Sequence, residues 1–469
     1  IGISPYYEEA GLFDVAQGID PFRNPGLLGS GYAMTSITGN STQIPRWILP
    51  YPKRAMTYVL GVGGGNLASP SGRGWIEQRN IDDGSINNTH SKAMEIIRGA
   101  TILNNRLLYV SGNFIGNTNI DVAGAISLNS TYSDTWQGNT WTYSGLHPMI
   151  QGPDNSVYVA DGNVLDKIQI TTTSSYASDK LTLASGVIIN CGKHDGNYLV
   201  LGASSRPGDF SSVAYADYMS EVYFWDTWSP SFNKKWTIND GPIRKIEVNA
   251  GVVSVFAGTN LYVCSYDVSP KLVVGARNIS NLTLKPDTEG NSSDVWNGIM
   301  LWGESDSKNV WGQGTYNSKL PEILFNPIMT TTGDNISCVK GITASKIYVG
   351  TTGHKLYSFS TGNRNATATT SLIDLGGTYK IDGIKVVAKA LASGDSLDVQ
   401  VQDEAGSNII EGVFSFTKDG SKTSKTIKTP RGANPIADQI IIDLDFVGNV
   451  RIKRIDVFGT PVSEEYATA

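Results

Sequence analysis

The chain has 469 residues, of which 40% are hydrophobic and only 17% charged, and its net charge is −6. Charge is well under the ~25% of ordinary soluble domains. No basic patch or stripe stands out, which argues against a nucleic-acid grip. No apolar run approaches the ~20 residues needed to span a bilayer, so membrane insertion is not expected. The polar bulk comes from Asn, Ser, Thr and 51 Gly. These residues favour turns, because Gly reaches positive φ freely and the others bond their own backbone. Many turns separated by short apolar runs predict an all-β chain.

In chain order, the start at Ile1-Gly2-Ile3 has neither the basic opening nor the apolar core of a signal peptide, and no initiator Met. Residues 1–53 are apolar in places but broken by Gly and Pro. They predict an extended N-terminal arm lying on its own body or a neighbour, with Phe13, Phe22, Leu27 and Leu28 as anchors. Over 54–362 a short β run recurs about every 48 residues, the spacing of four-stranded propeller repeats. Its seven copies are MTYVLG (56–61), LLYVSG (107–112), VYVADG (157–162), YLVLG (198–202), VSVFAG (253–258), IMLWG (299–303) and IYVGT (347–351). A lone four-stranded sheet cannot bury both faces, but blades stacked around a ring bury each other's. Seven blades are therefore expected. The stretch 361–367 reads as a linker. Over 370–461 cleanly alternating runs such as IDGIKVV (381–387) and LDVQV (397–401) predict a C-terminal β-sandwich.

The search for chemistry singles out no catalytic, cofactor-binding or metal residue. There is no Gly-x-Ser-x-Gly elbow, His-Glu-x-x-His or P-loop. Cys191, Cys264 and Cys338 match no zinc or redox spacing and read as buried thiols. His90, His147, His194 and His354 lie far apart beside turn residues and read as exposed or capping. Gly61 to Gly65 lacks the helix a dinucleotide loop requires, and Asp287 to Asn291 is only part of a calcium loop. Ser133 to Trp141 is half of a sialidase-type Asp-box, matching at Gly138, Thr140 and Trp141. That box is a turn, not a catalytic site. Lys418, Lys422, Lys425 and Lys428 spread over a hairpin and read as a solvated sheet edge. The sequons at Asn278 and Asn281 are what an Asn/Ser/Thr-rich chain produces by chance. Tyr215, Tyr218, Tyr223, Phe224, Trp225, Trp228, Phe232 and Trp236 crowd one stretch. Such rings either stack on sugars and anchor interfaces or fill blade contacts.

The arm GLFDVAQGIDPFRNPGLL (11–28), the degenerate propeller and the sandwich opening IDLGGTYKIDGIKVV (373–387) give an order of parts that resembles virion proteins of tailed bacteriophages. Tail nozzle proteins of short-tailed phages are of this kind. The resemblance implies a non-enzymatic, multi-copy tail component (nozzle or tail-accessory) that forms a hexameric ring and contacts other virion proteins. Its place would be the virion tail, or otherwise an extracellular one. The alternative is a receptor- or glycan-binding module, with a host surface glycan or receptor as partner. A propeller glycosidase ranks last, because no carboxylate pair stands out.

Overall fold

In a computed structural model the described residues are 13–19, 28–51, 56–62, 75–80, 82–91, 97–119, 141–170, 174–205, 219–275, 286, 290–315, 322–330 and 334–462, with breaks of one or two residues inside those spans. The chain forms two compact units. One comprises Ile1–Thr35, Asn309–Thr330 and Phe359–Ala469, the other Ser36–Lys308 and Thr331–Ser358.

The strands run in chain order as follows. β1 (Phe13–Gln17), β2 (Leu28–Gly29) and β3 (Tyr32–Ser36) come first. The sheet β4 (Ile44–Tyr51), β5 (Met56–Val62), β6 (Trp75–Asn80), β7 (Ile86–Ser91) follows. Next is a three-stranded sheet, β8 (Ile97–Leu103), β9 (Arg106–Ser111), β10 (Phe114–Asn119). Three further four-stranded meanders succeed it. They are β11 (Met149–Gly152), β12 (Ser156–Asp161), β13 (Val164–Ile170), β14 (Ser174–Thr182); then β15 (Ile188–His194), β16 (Leu199–Ser204), β17 (Ser220–Trp225), β18 (Lys234–Ile238); then β19 (Ile243–Asn249), β20 (Val252–Ala257), β21 (Asn260–Cys264), β22 (Lys271–Gly275). β23 (Ser293–Trp296), β24 (Ile299–Gly303), β25 (Asn309–Thr315) and β26 (Glu322–Thr330) make another. In the last, β27 (Ile336–Thr343), β28 (Lys346–Thr351) and β29 (Leu356–Asn363) take β3 as their outer strand.

This is a β-propeller. Among the described residues it has six four-stranded blades, where seven were expected. The repeat at 107–112 gives the three-stranded sheet, and the residues after β10 up to Trp141 lie outside the described ones. Every repeated run falls on the second strand of its sheet: β5, β9, β12, β16, β20, β24 and β28. The first strands are neighbours in the order β4, β8, β11, β15, β19, β23, β27, and β27 lies beside β4 again.

The second strands read as unbroken apolar runs because both of their faces are buried, and successive side chains serve opposite neighbours. On β12, Val157 and Val159 pack with Leu108 and Val110 of β9. Tyr158 and Ala160 pack with Leu199 and Leu201 of β16. On β16, Val200 turns the other way, to Val253 and Val255 of β20. Each such side chain contributes roughly 1.5–3 kcal/mol.

The glycine that closes several runs marks where a second strand comes closest to the next sheet. A Cβ on Gly350 would lie 2.5 Å from Cys338 Sγ and 3.0 Å from Pro45 on β4. Gly350→Val is therefore expected to lose about 1–3 kcal/mol by overpacking. A lower urea midpoint with unchanged slope would show it; an unshifted midpoint would show slack between the sheets.

In the other unit, β30 (Ala366–Thr370), β31 (Ile373–Ala388), β32 (Ser396–Asp403), β33 (Asn408–Ser415), a short α1 (Phe416–Asp419), β34 (Ser424–Lys428), β35 (Ile436–Val447) and β36 (Arg451–Pro461) follow. The strands of the expected C-terminal sandwich join one branched sheet of nine strands, ordered β1-β30-β35-β31-β36-β2 with β32, β33 and β34 off that path. Branching arises because long β31 pairs with β35 through its first half, with β34 through its second, and with β36 along its other edge. Burial alternates along β32, with Leu397, Val399 and Val401 inside and Asp398 outside. The linker expected at 361–367 is largely strand, split between β29 and β30.

Residues 1–53 supply strands as well. β1 pairs with β30, Leu28 of β2 is buried against Ile452, and β3 and β4 lie in propeller sheets. The Ser30 hydroxyl donates to Gly448 O at 2.6 Å, and Arg451 donates back to Ser30 O. Of the expected anchors, Phe22 and Leu27 lie outside the described residues.

Candidate functional site

The first strands of the propeller sheets enclose a cavity of about 510 Å³. Its wall takes Trp47 from β4, Arg98 to Thr101 from β8, Met149 to Gly152 from β11 and Asn190 to His194 from β15. Lys245 to Glu247 of β19, Gly290 and Asn291 ahead of β23, and Lys340 of β27 complete it. It is therefore the axial cavity of the ring. None of these residues belongs to the apolar repeat, because first strands show one face to the axis and only the other to the neighbouring sheets.

The charged side chains on this wall join one first strand to the next. Lys193 Nζ lies 3.1 Å from Glu247 Oε2, and Ser293 donates to Glu247 Oε1 at 2.7 Å. Lys340 Nζ donates to Asp294 Oδ1 at 2.8 Å, and Lys245 Nζ donates to Gly290 O at 2.5 Å. The Glu247 carboxylate holds the Lys193 ammonium above its ordinary pKa, against burial. Neutral bonds do the same work elsewhere: Gln151 donates to Thr101 Oγ1 at 3.1 Å, and Ser337 donates to Pro45 O at 2.6 Å.

Cys191 lines the same wall, and burial pushes its thiol up to about 12. Cys264 is likewise pushed to about 12, and all three cysteines are buried and in no disulfide. Thiols held protonated in this way are inert nucleophiles. Among the described residues no group of His, Cys, Asp or Glu could hold a metal ion, and Asp287 to Glu289 lie outside them.

His147 is fully buried, not exposed or capping as expected. Its Nδ1 is 2.8 Å from Ala160 O and its Nε2 3.0 Å from Tyr143 O, with the Trp141 ring stacked at 5.0 Å. A neutral imidazole carries one N–H, so it serves one carbonyl. Burial nevertheless lowers its pKa, against the pull of those carbonyls and of Asp161 at 3.9 Å. The unfolded chain, with His near 6.5, then binds more protons than the folded one just below that pH. Stability is expected to fall as pH drops from about 6.5, and His147→Gln to flatten that slope. Urea midpoints at a series of pH values check it. An equal slope in the variant would assign the loss to other groups.

The aromatic stretch divides sharply. Tyr223, Phe224 and Trp225 are core, Phe232 and Trp236 pack against it, and Tyr215 and Tyr218 lie outside the described residues. Among the described rings of this stretch only Trp228, 81% exposed, stands out from the surface. Asp226 holds its turn by accepting the N–H groups of Trp228 at 2.9 Å and Ser229 at 2.8 Å. These bonds keep the Asp226 carboxyl well below the usual range. Of the lysines of 418–428, Lys425 and Lys422 lie 2.9 Å and 3.8 Å from Asp419. Within the half Asp-box only Trp141 is described; it is buried, its Nε1 donating to Asp166 at 2.8 Å.

Sequence reasoning missed Lys193, Lys245, Glu247 and Lys340. The signal was a charged residue in the strand just ahead of an apolar run, as Lys193 precedes Leu199 to Leu201 and Lys340 precedes Ile347 to Val349.

No protein-family model matches the chain, and no curated protein matches it. It is similar to the solved Dos1 propeller, with TM-score 0.42 and 12% identity, over 72% of this chain and 96% of that one. It is similar to the β-propeller domain of Cps50 (Swd1) from Myceliophteria thermophila, with TM-score 0.45 and 8% identity, over 70% and 99%. A computationally designed protein, Ika8, gives TM-score 0.42 and 9% identity over 70% and 99%.

Proposed function

We propose that the chain is a structural component of a tailed-bacteriophage virion, a multi-copy tail protein of the nozzle or tail-accessory kind. It acts through contacts with other virion proteins and copies of itself, not by catalysis. In this reading the three-stranded sheet β8–β10 is the seventh blade of the ring. The nine-stranded sheet is a terminal sandwich folded from one continuous sheet.

The observation that carries the reading is the use made of charge at the axis. Lys193, Glu247, Asp294 and Lys340 lie where a propeller enzyme would keep its working groups, and they are committed to strand-to-strand pairs. A scaffold needs such ties, and a propeller followed by a terminal β module agrees with it. Purified virions are expected to contain the chain at a fixed multiple of the portal copy number. The isolated protein is expected to form a ring, a hexamer by resemblance, in mass photometry. Absence from the mass spectra of virions would end the proposal.

Trp228 favours a second reading, a glycan- or receptor-binding module. Thr227 beside it has φ +69°, an uncommon conformation for a β-branched residue and one that tends to persist at functional positions. On this reading Trp228→Ala abolishes binding on a glycan array and leaves the urea midpoint unchanged. No binding by the parent chain at millimolar sugar removes it.

A further inference from the structure

In the nine-stranded sheet, β31 changes neighbours part-way along, and a cavity of about 390 Å³ lies at the change. β31 pairs with β35 as far as Lys380 and with β34 from Gly383 onward. The chain leaving β34 is pinned across that gap. Thr429 donates its N–H to Asp382 O at 3.1 Å and its hydroxyl to Ile381 O at 2.6 Å. A turn closed by the Ala433 N–H on Pro430 O at 3.1 Å then places exposed Arg431 on the cavity wall. Asp382 has no partner on β36, because the register slips between the pairs Ile381↔Gly459 and Gly383↔Phe458. Such a bulge re-aims the side chain of its extra residue. The Asp382 carboxylate lines the cavity and accepts the Thr460 hydroxyl at 2.8 Å through Oδ2. Phe458 lies directly over Gly383, where a Cβ would come 2.7 Å from its ring, and the residue is 38% exposed. Lys380, Lys428 and Arg431 line the same wall, and among the described residues none of them makes an ion pair or a side-chain hydrogen bond. Lys425 and Arg454 of the same sheet, by contrast, hold Asp419 and Asp456. Three cations against one carboxylate at a concave wall focus their field on an entering counter-ion.

We propose that this cavity binds an acidic sugar, a pyranose ring that carries a carboxylate. Arg431, Lys380 and Lys428 receive the carboxylate, the guanidinium fork matching its two oxygens. The Phe458 ring receives an apolar face of the pyranose, and Asp382 accepts its hydroxyls. A bare inorganic anion would gain nothing from Phe458 and would be repelled by Asp382. A peptide C-terminus would set an apolar side chain on the ring and offer Asp382 no hydroxyl. The volume lies within the range of small-ligand sites. A terminal sialic acid and a uronic acid within a polysaccharide share this chemistry. The site needs neither virion membership nor Trp228, so each of those readings can fail without it.

The test uses the full chain with sodium glucuronate, glucose and sodium acetate, read by calorimetric titration at constant ionic strength. Glucuronate is expected to bind saturably, at least tenfold tighter than glucose, which lacks the carboxylate, or acetate, which lacks the ring. Arg431→Gln is expected to weaken glucuronate at least fivefold and, in an exposed turn, to leave the urea midpoint unchanged. Asp382→Ala is expected to weaken glucuronate at least threefold while acetate binds no worse, a split that neither lost structure nor a simple basic patch would give. A methyl sialoside and a tetragalacturonate distinguish the sources, the tighter showing whether a terminal or a chain-internal sugar is held. Glucuronate no tighter than glucose or acetate overturns the proposal. So does an affinity unchanged in Arg431→Gln, or unchanged or tightened in Asp382→Ala. N-acetylphenylalanine binding tighter than glucuronate would make this a peptide site and overturn it as well. Loss of glucuronate binding in Trp228→Ala would place the sugar at Trp228 instead. Should Asp382→Ala not fold, Arg431→Gln decides alone.

Discussion

Replacing Arg79 by Met is expected to cost about 3–5 kcal/mol, because it strands a buried carboxylate. Glu77 and Arg79 are two apart on β6, so they share one face of the strand, and both side chains are fully buried. Arg79 donates to Glu77 Oε2 through Nη2 at 3.0 Å and through Nε at 3.2 Å. Its other donors reach Gly84 O at 2.9 Å and Gly39 O at 3.2 Å. The Ser41 hydroxyl adds a bond to Glu77 Oε2 at 2.8 Å. Met fills much of the volume but takes both guanidinium bonds away from the buried Glu77 carboxylate. The double variant Glu77→Leu/Arg79→Met is expected to recover part of the loss, since burying neither charge avoids the desolvation of both. Urea denaturation of the three chains separates the cases. A double variant no more stable than Arg79→Met alone would show that the loss lies in packing and not in the stranded charge.

That pair illustrates what the sequence hides. The repeat was legible because a second strand, buried on both faces, must be apolar at every position, as Leu199-Val200-Leu201 is. Nothing comparable marks a first strand. In β19 the run Ile243 to Asn249 mixes Ile with Arg, Lys and Glu, because one face packs and the other looks into the axis. Read alone it is an ordinary half-exposed strand, and the axial site was therefore invisible. The Gln78 and Arg79 region of β6 looked equally unremarkable, since charged residues in a strand ordinarily point to water.

Pairing partners far apart in sequence were illegible for a different reason. β1 and β2 are too short to show a period, and their partners Thr367 to Thr370 and Ile452 stand 350 or more residues away. Composition alone made them an arm. In the same way the alternation of β31 located its buried face but not its three partners, and only the partners distinguish one branched sheet from two facing ones. The aromatic stretch failed for want of depth. Hydrophobicity cannot separate Trp225, which is core, from Trp228, which is not. The difference lies in the turn: Trp225 ends a strand inside the ladder, and Trp228 follows Asp226 in a loop.

Those two tryptophans give the second large effect. Trp225→Ala is expected to lose about 3–5 kcal/mol, whereas Trp228→Ala should fall within about 0.5 kcal/mol of the parent. The Trp225 ring meets Tyr158 of the neighbouring sheet edge-on at 5.5 Å, and its Nε1 donates to Ser229 O at 2.8 Å. Removing it opens a cavity between two sheets and leaves the Ser229 carbonyl without that donor, so transfer, cavity and hydrogen-bond terms act together. The measurement is the urea midpoint, with the unfolding rate followed in parallel in case refolding is incomplete. Comparable losses in the two variants would mean that Trp228 is packed and not displayed, and the glycan reading would then lose its platform. A small loss at Trp225 would mean that the contact between the β11–β14 and β15–β18 sheets is loose enough to collapse onto the gap.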